Sequence, residues 1–259
     1  MCGRYASSRR PEDLLEEFEV AESLVAAPLA PDYNVAPTKE VYAVLERPPS
    51  PEHGVEEPRR QLRVLTWGLV PSWAKDPSIG SRMINARSET VAEKPAFRRA
   101  FAARRCLLPA DGYFEWYATS ALTKAGKPVK QPFFIRPRDG GVLAMAGLYE
   151  IWRDPTRADD DPARFRWTCT VLTTEAEDSL GHIHDRMPLM VTPEARERWL
   201  DPRVSGAELL DLLAPAAPGV LEAFPVSTAV NSVRNNGPEL LAPLPLEGVP
   251  DDVRAEVVR

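Results

Sequence analysis

Short apolar stretches, alternating with polar residues or running unbroken for four to eight positions, dominate the chain. They predict β-strands over residues 41–45, 62–69, 106–108, 112–117, 132–135, 142–149, 167–172 and 187–191, and residues 2–6 also read as extended. Helical spacing is rarer and shorter. Residues 11–18 open with Pro11 and set Leu14, Leu15 and Phe18 on one side, residues 94–105 carry Phe97 and Phe101 four apart, and residues 175–180, 193–200 and 207–213 complete the set. A loop is expected between the first helix and Tyr33-Asn34-Val35-Ala36-Pro37-Thr38. Many strands with scattered short helices predict one α+β domain, its mostly antiparallel sheet curled into a barrel-like core with short flanking helices. A doubly wound fold would alternate strand and helix more regularly. Residues 47–60, with four prolines, and residues 153–165, with Asp159-Asp160-Asp161, read as surface insertions within the sheet rather than linkers.

At 259 residues and 44% hydrophobic, the chain can bury a sizeable core. Cys2, Cys106 and Cys169 are too few and too far apart for a disulfide framework or a paired-cysteine metal site, so a reducing, cytoplasmic setting is expected. No run approaches the roughly 18 apolar residues of a membrane helix. Met1-Cys2-Gly3-Arg4-Tyr5 leads straight to Arg9, Arg10, Glu12 and Asp13 without a secretory pattern, so the amino terminus is read as mature structure. The net charge of −6 argues against indiscriminate nucleic-acid binding but is silent about local patches. One such patch holds Arg82, Arg87, Lys94, Arg98, Arg99, Arg104 and Arg105 against only Glu89 and Glu93, just after Trp67 and Trp73. A basic groove with aromatic platforms suits single-stranded nucleic acid. The same arginines fit a solvated helix face and Trp67 fits core packing, whereas Trp73, in Pro71-Ser72-Trp73-Ala74-Lys75-Asp76, is expected in an exposed turn.

Four residues could carry chemistry. Loss of Met1 would leave Cys2 as a 1,2-aminothiol, whose α-amine titrates near 7.7 to 8.0 and is partly nucleophilic at neutral pH. Such an amine forms an imine with an aldehyde, and the thiol can close onto the same carbon to give a thiazolidine. Glu115, in Asp111-Gly112-Tyr113-Phe114-Glu115-Trp116-Tyr117, would share a strand face with Tyr113 and Tyr117. Desolvation there raises a carboxyl pKa toward that of a neutral-pH acid/base, although an edge-strand Glu facing solvent fits the same pattern. His184, in His182-Ile183-His184-Asp185-Arg186-Met187-Pro188, reads better as a proton shuttle than as a metal ligand, because no second His/Cys cluster exists. His182 reads as a bystander and His53 as surface. Asn85, in Ile84-Asn85-Ala86-Arg87-Ser88-Glu89, offers a donor and an acceptor to orient a substrate, or is a turn asparagine. Each of Cys2, Asn85 and His184 is followed two residues later by an arginine, Arg4, Arg87 and Arg186. Extended backbone places such pairs on one face, which suits a substrate with repeated phosphates.

Together these residues resemble the SRAP family (SOS response-associated peptidase), whose members are also described as abasic-site processing proteins. The likeness runs through Met1-Cys2-Gly3-Arg4-Tyr5, Tyr33-Asn34-Val35-Ala36-Pro37, Trp67-Gly68 with Pro71-Ser72-Trp73, Ile84-Asn85-Ala86-Arg87, Asp111-Gly112 with Phe114-Glu115-Trp116, Lys130-Gln131-Pro132-Phe133-Phe134 and His184-Asp185-Arg186 with Pro188. Val226-Ser227 and Val230-Asn231 look like the family's last strand. The resemblance implies an SRAP domain over residues 1–235 and a carboxy-terminal extension, 236–259, of unassigned role. It also implies capture of abasic sites in single-stranded DNA as a thiazolidine crosslink on Cys2, in the DNA damage response, with lyase activity and self-removal of Met1 as further activities. By the same likeness Asn85 positions the amine, Glu115 relays protons and His184 assists sugar ring opening and crosslink reversal. Arg4, Asn34, Pro37, Trp73, Arg87, Thr173 and Arg186 contact DNA. No cofactor, metal or membrane is implied, protein partners stay open, and a monomer is the expected state, cytoplasmic and nucleoid-associated when bound to DNA. Two other readings stay open on the residues alone: an amino-terminal-nucleophile hydrolase using Cys2 on peptides, and a non-covalent reader of damaged single strands in which Cys2 is idle.

Overall fold

A computed structural model describes residues 2–47, 58–177, 180–215, 218–247 and 249–258. Among these, the strands in chain order are β1 (Tyr5–Ser7), β2 (Glu22–Ser23), β3 (Asp32–Val35), β4 (Glu40–Arg47), β5 (Arg59–Trp67), β6 (Asn85–Arg87), β7 (Arg105–Ala110), β8 (Gly112–Leu122), β9 (Pro128–Pro137), β10 (Leu143–Arg153), β11 (Phe165–Glu175), β12 (Arg186–Pro188) and β13 (Leu221–Pro225). The α-helices are α1 (Pro11–Glu17), α2 (Arg98–Ala103), α3 (Arg196–Leu200), α4 (Gly206–Asp211) and α5 (Asp251–Ala255). Strands β11, β10, β7, β4 and β5 pair in that order, and a parallel contact of β11 with β5, Thr168 opposite Thr66 and Cys169 opposite Trp67, closes the five into a barrel. A second sheet, in the order β13, β9, β8, β1 and β3, lies beside it. The architecture is the expected single α+β domain with a barrel core.

Alternation explains how the layers stick together. Val41, Ala43, Leu45, Leu65, Trp67, Cys106, Leu108, Met145, Cys169 and Val171 fall in one buried cluster that also takes Tyr5, Tyr113, Phe133 and Ile135 from the second sheet and Cys2 from the segment before β1. The alternate residues Tyr42, Val44, Leu62, Leu107, Ala146, Leu148 and Leu172 belong to another cluster, with Leu14 of α1 and Phe18 just after it, Phe101 of α2, Trp199 of α3 and Leu209 of α4. Strand residues one apart point to opposite faces, so one side of the barrel wall faces the second sheet and the other is covered by short helices. The outer face of the second sheet buries Phe114 and Phe134 under Val230 and Leu240. Among the described residues after 235, Leu240, Val249 and Val253 are buried in this packing, and Val258 bridges Ala223 of β13.

Several elements differ from the sequence expectation. Residues 32–35 form β3, a strand that the apolar pattern does not predict, because β1 pairs with them. The helix expected over 94–105 shrinks to α2, since Arg105 is already paired with Leu148 in β7. No helix occupies the described part of 175–180: Glu175 pairs with Arg186 at the end of β11, and residues 178 and 179 lie outside the described residues. The last strand is β13, followed by a 3-10 turn at Thr228–Asn231 where sequence suggested a strand. Of the insertion 47–60, residues 48–57 lie outside the described residues, while Arg47 and Arg59 pair as the ends of β4 and β5. The 153–165 stretch is laced by ion pairs of Asp159 with Arg153 and Arg164, and of Asp161 with Arg157.

Candidate functional site

Cys2 comes to the centre of the molecule because β1 is wedged between β3 and β8, with Tyr5 opposite both Val35 and Tyr113. The antiparallel register that sets Tyr5 against Tyr113 carries Glu115, two residues further along β8, to the level of residue 3 beside Cys2. Asn85 arrives from the other side. Its three-residue strand β6 runs parallel to β11 with Asn85 opposite Val171, and the loop before it is folded back tightly at Gly68. That glycine has φ of +129°, and a Cβ there would stand 2.7 Å from the Gly80 carbonyl oxygen. His184 is delivered by the turn between β11 and β12, where its amide donates to the Leu180 carbonyl.

The four side chains converge. Asn85 Nδ2 donates to the Cys2 carbonyl at 2.8 Å, and its Oδ1 is buried without a hydrogen-bond partner among the described residues. His184 Nε2 lies 3.9 Å from Glu115 Oε2. The His184 Nδ1 accepts from the Arg186 amide at 3.0 Å, so we assign the neutral ring its proton on Nε2, the nitrogen facing Glu115. Asp185 Oδ1 also stands 3.1 Å from Nδ1, but Asp185 is well exposed and burial lowers the His184 pKa, both of which favour the neutral ring.

Burial dominates the electrostatics. It pushes the Glu115 carboxyl up from its ordinary 4.5 to about 8, with the positive charge of Lys130 pulling the other way. Burial, and then the neighbouring Glu115 charge, push the Cys2 thiol well up, so the resting sulfur is a thiol. A protonated carboxyl, a thiol and a neutral imidazole therefore stand side by side near pH 7. This arrangement can donate a proton to a leaving oxygen and recover it from sulfur.

The remaining candidates surround the site in two different states. Trp73 is 57% exposed, and Arg87 is exposed beside Asn85, with Pro37 half-buried. Trp67 is core, its indole N–H donating to the Ile84 carbonyl. Asn34 is fully buried and its amide donates to the carbonyls of Val230, Ser232 and Asn235, fastening the 230–235 loop to β3. Arg4 donates to Asn34 Oδ1 at 2.6 Å and to the Val230 carbonyl at 2.9 Å. Thr173 is also buried, and Arg186 is held by its carbonyl and by both oxygens of Glu89, at 2.6 and 3.1 Å. Sequence reasoning singled out neither Glu89 as the partner of Arg186 nor Asn231, which accepts from the Trp116 indole at 2.7 Å beside Arg4. His182 pairs with Glu256 at 2.9 Å, away from the four. No group of His, Cys, Asp and Glu suited to a metal ion, and no helix long and apolar enough to cross a membrane, occurs among the described residues.

The family described as SOS response associated peptidase (SRAP) matches residues 1–233. Abasic site processing protein YoqW of Bacillus subtilis is 37% identical over 242 residues, covering 93% of this chain and 99% of its own. Abasic site processing protein YedK of Escherichia coli is 35% identical over 253 residues, covering 94% and 100%. The Gallus gallus protein HMCES, of the same description, is 33% identical over 288 residues, covering 98% and 81%. Among solved structures, a Bacteroides thetaiotaomicron protein superimposes with a TM-score of 0.76 at 26% identity, covering 94% of this chain and all of that one.

Proposed function

The chain belongs to the SRAP family, and from that premise we propose that it processes abasic sites in single-stranded DNA as part of the DNA damage response, by covalent capture on Cys2. The observation that carries this reading is the convergence of Cys2, Asn85, Glu115 and His184 at one site, with Cys2 and Glu115 buried and Asn85 and His184 half-buried at its rim. With Met1 attached the Cys2 nitrogen is an amide and cannot attack an aldehyde, so removal of Met1 is the first step.

The freed amine adds to the aldehyde carbon of the ring-opened sugar, and Asn85 Oδ1 accepts from that amine to orient it. The resulting carbinolamine loses its hydroxyl as water with a proton from Glu115, leaving an iminium and a Glu115 carboxylate. That carboxylate then takes the Cys2 thiol proton as sulfur bonds to the iminium carbon, which closes the thiazolidine and restores the protonated acid. No net proton is consumed, and one water leaves. His184, with its N–H facing Glu115, serves sugar ring opening and, in reverse, release of the crosslink. Arg87 and Trp73 supply an exposed cation and an aromatic platform for the strand.

The test is a denaturing gel of Met1-free protein with a single-stranded oligonucleotide carrying one abasic site, alongside intact oligonucleotide and the Cys2→Ala variant. A shifted band that needs both the abasic site and Cys2 is expected. Turnover of peptides without any such band would replace this reading by the hydrolase, and full function in Cys2→Ala by the non-covalent reader.

A further inference from the structure

The barrel has a second functional-looking end. Along β11, Val171 faces Asn85 at the Cys2 site, whereas Trp167, four residues earlier and so about 13 Å away, sits towards the opposite mouth. There the Trp167 ring stacks on Tyr149 with centroids 5.7 Å apart and planes at 17°. Two guanidinium groups cover the indole: Arg63 at 4.2 Å and Arg47 at 5.1 Å from the ring centroid. A third, Arg104, joins Arg47 and Arg63 in acting on the Tyr149 hydroxyl.

Among the described residues, the positive charge at this mouth is poorly answered. Arg104 is paired with Glu150 at 2.9 Å, but its Nε is buried without a hydrogen-bond partner among the described residues. Arg63 donates from Nε to Gln61, a neutral group, and Gln61 in turn occupies Glu22. Neither Arg47 nor Arg63 has an ion pair among the described residues. Burial, and the proximity of Arg47, lower the Arg63 pKa, the direction expected of a half-buried cation facing a like charge. Contact with an indole offsets part of that cost, yet among the described residues the N–H donors of the two guanidiniums find a hydrogen-bond partner only at Arg63 Nε. Tyr149, kept protonated by burial with its pKa raised to about 12, adds a further hydroxyl. Planar forks of donors with unbalanced charge, in a chain whose net charge is −6, are a phosphate-recognition geometry.

We infer that the Arg47–Arg63–Trp167 mouth is a second anion site that binds a phosphate group, carried by a nucleic-acid strand or by a free phosphate ester. The site is independent of the Cys2 chemistry. Its test uses full-length protein and two probes, inorganic pyrophosphate followed by titration calorimetry and an unmodified 20-nucleotide dT strand followed by anisotropy across a salt series. The variants are the double substitution Arg47→Gln with Arg63→Gln, and its charge-keeping counterpart with Lys at both positions, each checked for native circular dichroism. The Gln pair is expected to weaken pyrophosphate binding at least tenfold, and the Lys pair to recover part of it. If a strand supplies the phosphate, the Gln pair also lowers the salt slope of dT binding by about 1.4, two phosphates at roughly 0.7 each. An unchanged slope with lost pyrophosphate binding assigns the site to free phosphate esters. Unchanged pyrophosphate affinity in a folded Gln pair overturns the inference.

Discussion

Replacing Glu115 by Gln removes a buried titratable acid while keeping its shape, and the raised pKa sets the sign and the size of the effect. The carboxyl titrates at about 8 when folded against an ordinary 4.5, because burial penalises its charged form. Below pH 4.5 it is protonated in both states and costs nothing. As pH rises from 4.5 towards 8 the unfolded chain ionises while the folded one still holds the proton, so stability is lost through that window and the loss levels off above 8. At 1.36 kcal/mol per pKa unit, the integrated loss between pH 5 and pH 8 is about 3.5 kcal/mol. The Gln variant has no such group. Urea unfolding of both proteins at pH 5, 6, 7 and 8 therefore should show the variant gaining on the wild type by that order across the series, while its crosslinking rate drops at every pH. A stability difference flat to within about 0.5 kcal/mol from pH 5 to 8 would refute the claim that Glu115 is an acid held protonated by burial.

Three further outcomes are expected. Asn85→Ala removes the 2.8 Å bond to the Cys2 carbonyl, so urea titration should read a loss of about 0.5 to 1.5 kcal/mol, and capture of an abasic strand should slow while binding of intact strand is retained. Glu89→Gln frees Arg186 from a carboxylate whose pKa that arginine now lowers; anisotropy should show tighter single-strand binding and a salt slope steeper by about 0.7. Trp73→Ala should weaken single-strand affinity by about 1 to 3 kcal/mol if a base stacks on it, with the melting temperature unchanged because the ring is 57% exposed.

The long strands were legible because each carries enough alternation to override its neighbours: β4, β5 and β8 to β11 all lie where apolar periodicity places them. Some short elements were not. Strands β3 and β6 have four and three residues, too few for a period, and exist because β1 and β11 offer them ladders from far along the chain. The carboxy-terminal α5 escaped for the same reason; Val253 alone commits it to the core. The pattern of an arginine two residues after Cys2, Asn85 and His184 was visible, and β6 does set Asn85 and Arg87 on one face. Yet the sequence could not show that Arg186 is already gripped by Glu89, or that Arg4 and Asn34 hold the loop around Val230, since those partners lie 97, 226 and 196 residues away.

The most direct test of the central claim is the intact mass of Met1-free protein after reaction with a single-stranded oligonucleotide bearing one abasic site. Thiazolidine closure predicts a mass equal to the sum of the two reactants less one water, with the Cys2 thiol lost to alkylation after denaturation and the adduct unchanged by borohydride. An adduct that keeps an alkylatable Cys2 and gains two hydrogens from borohydride would be an imine alone, and would contradict the assignment of sulfur to the final bond.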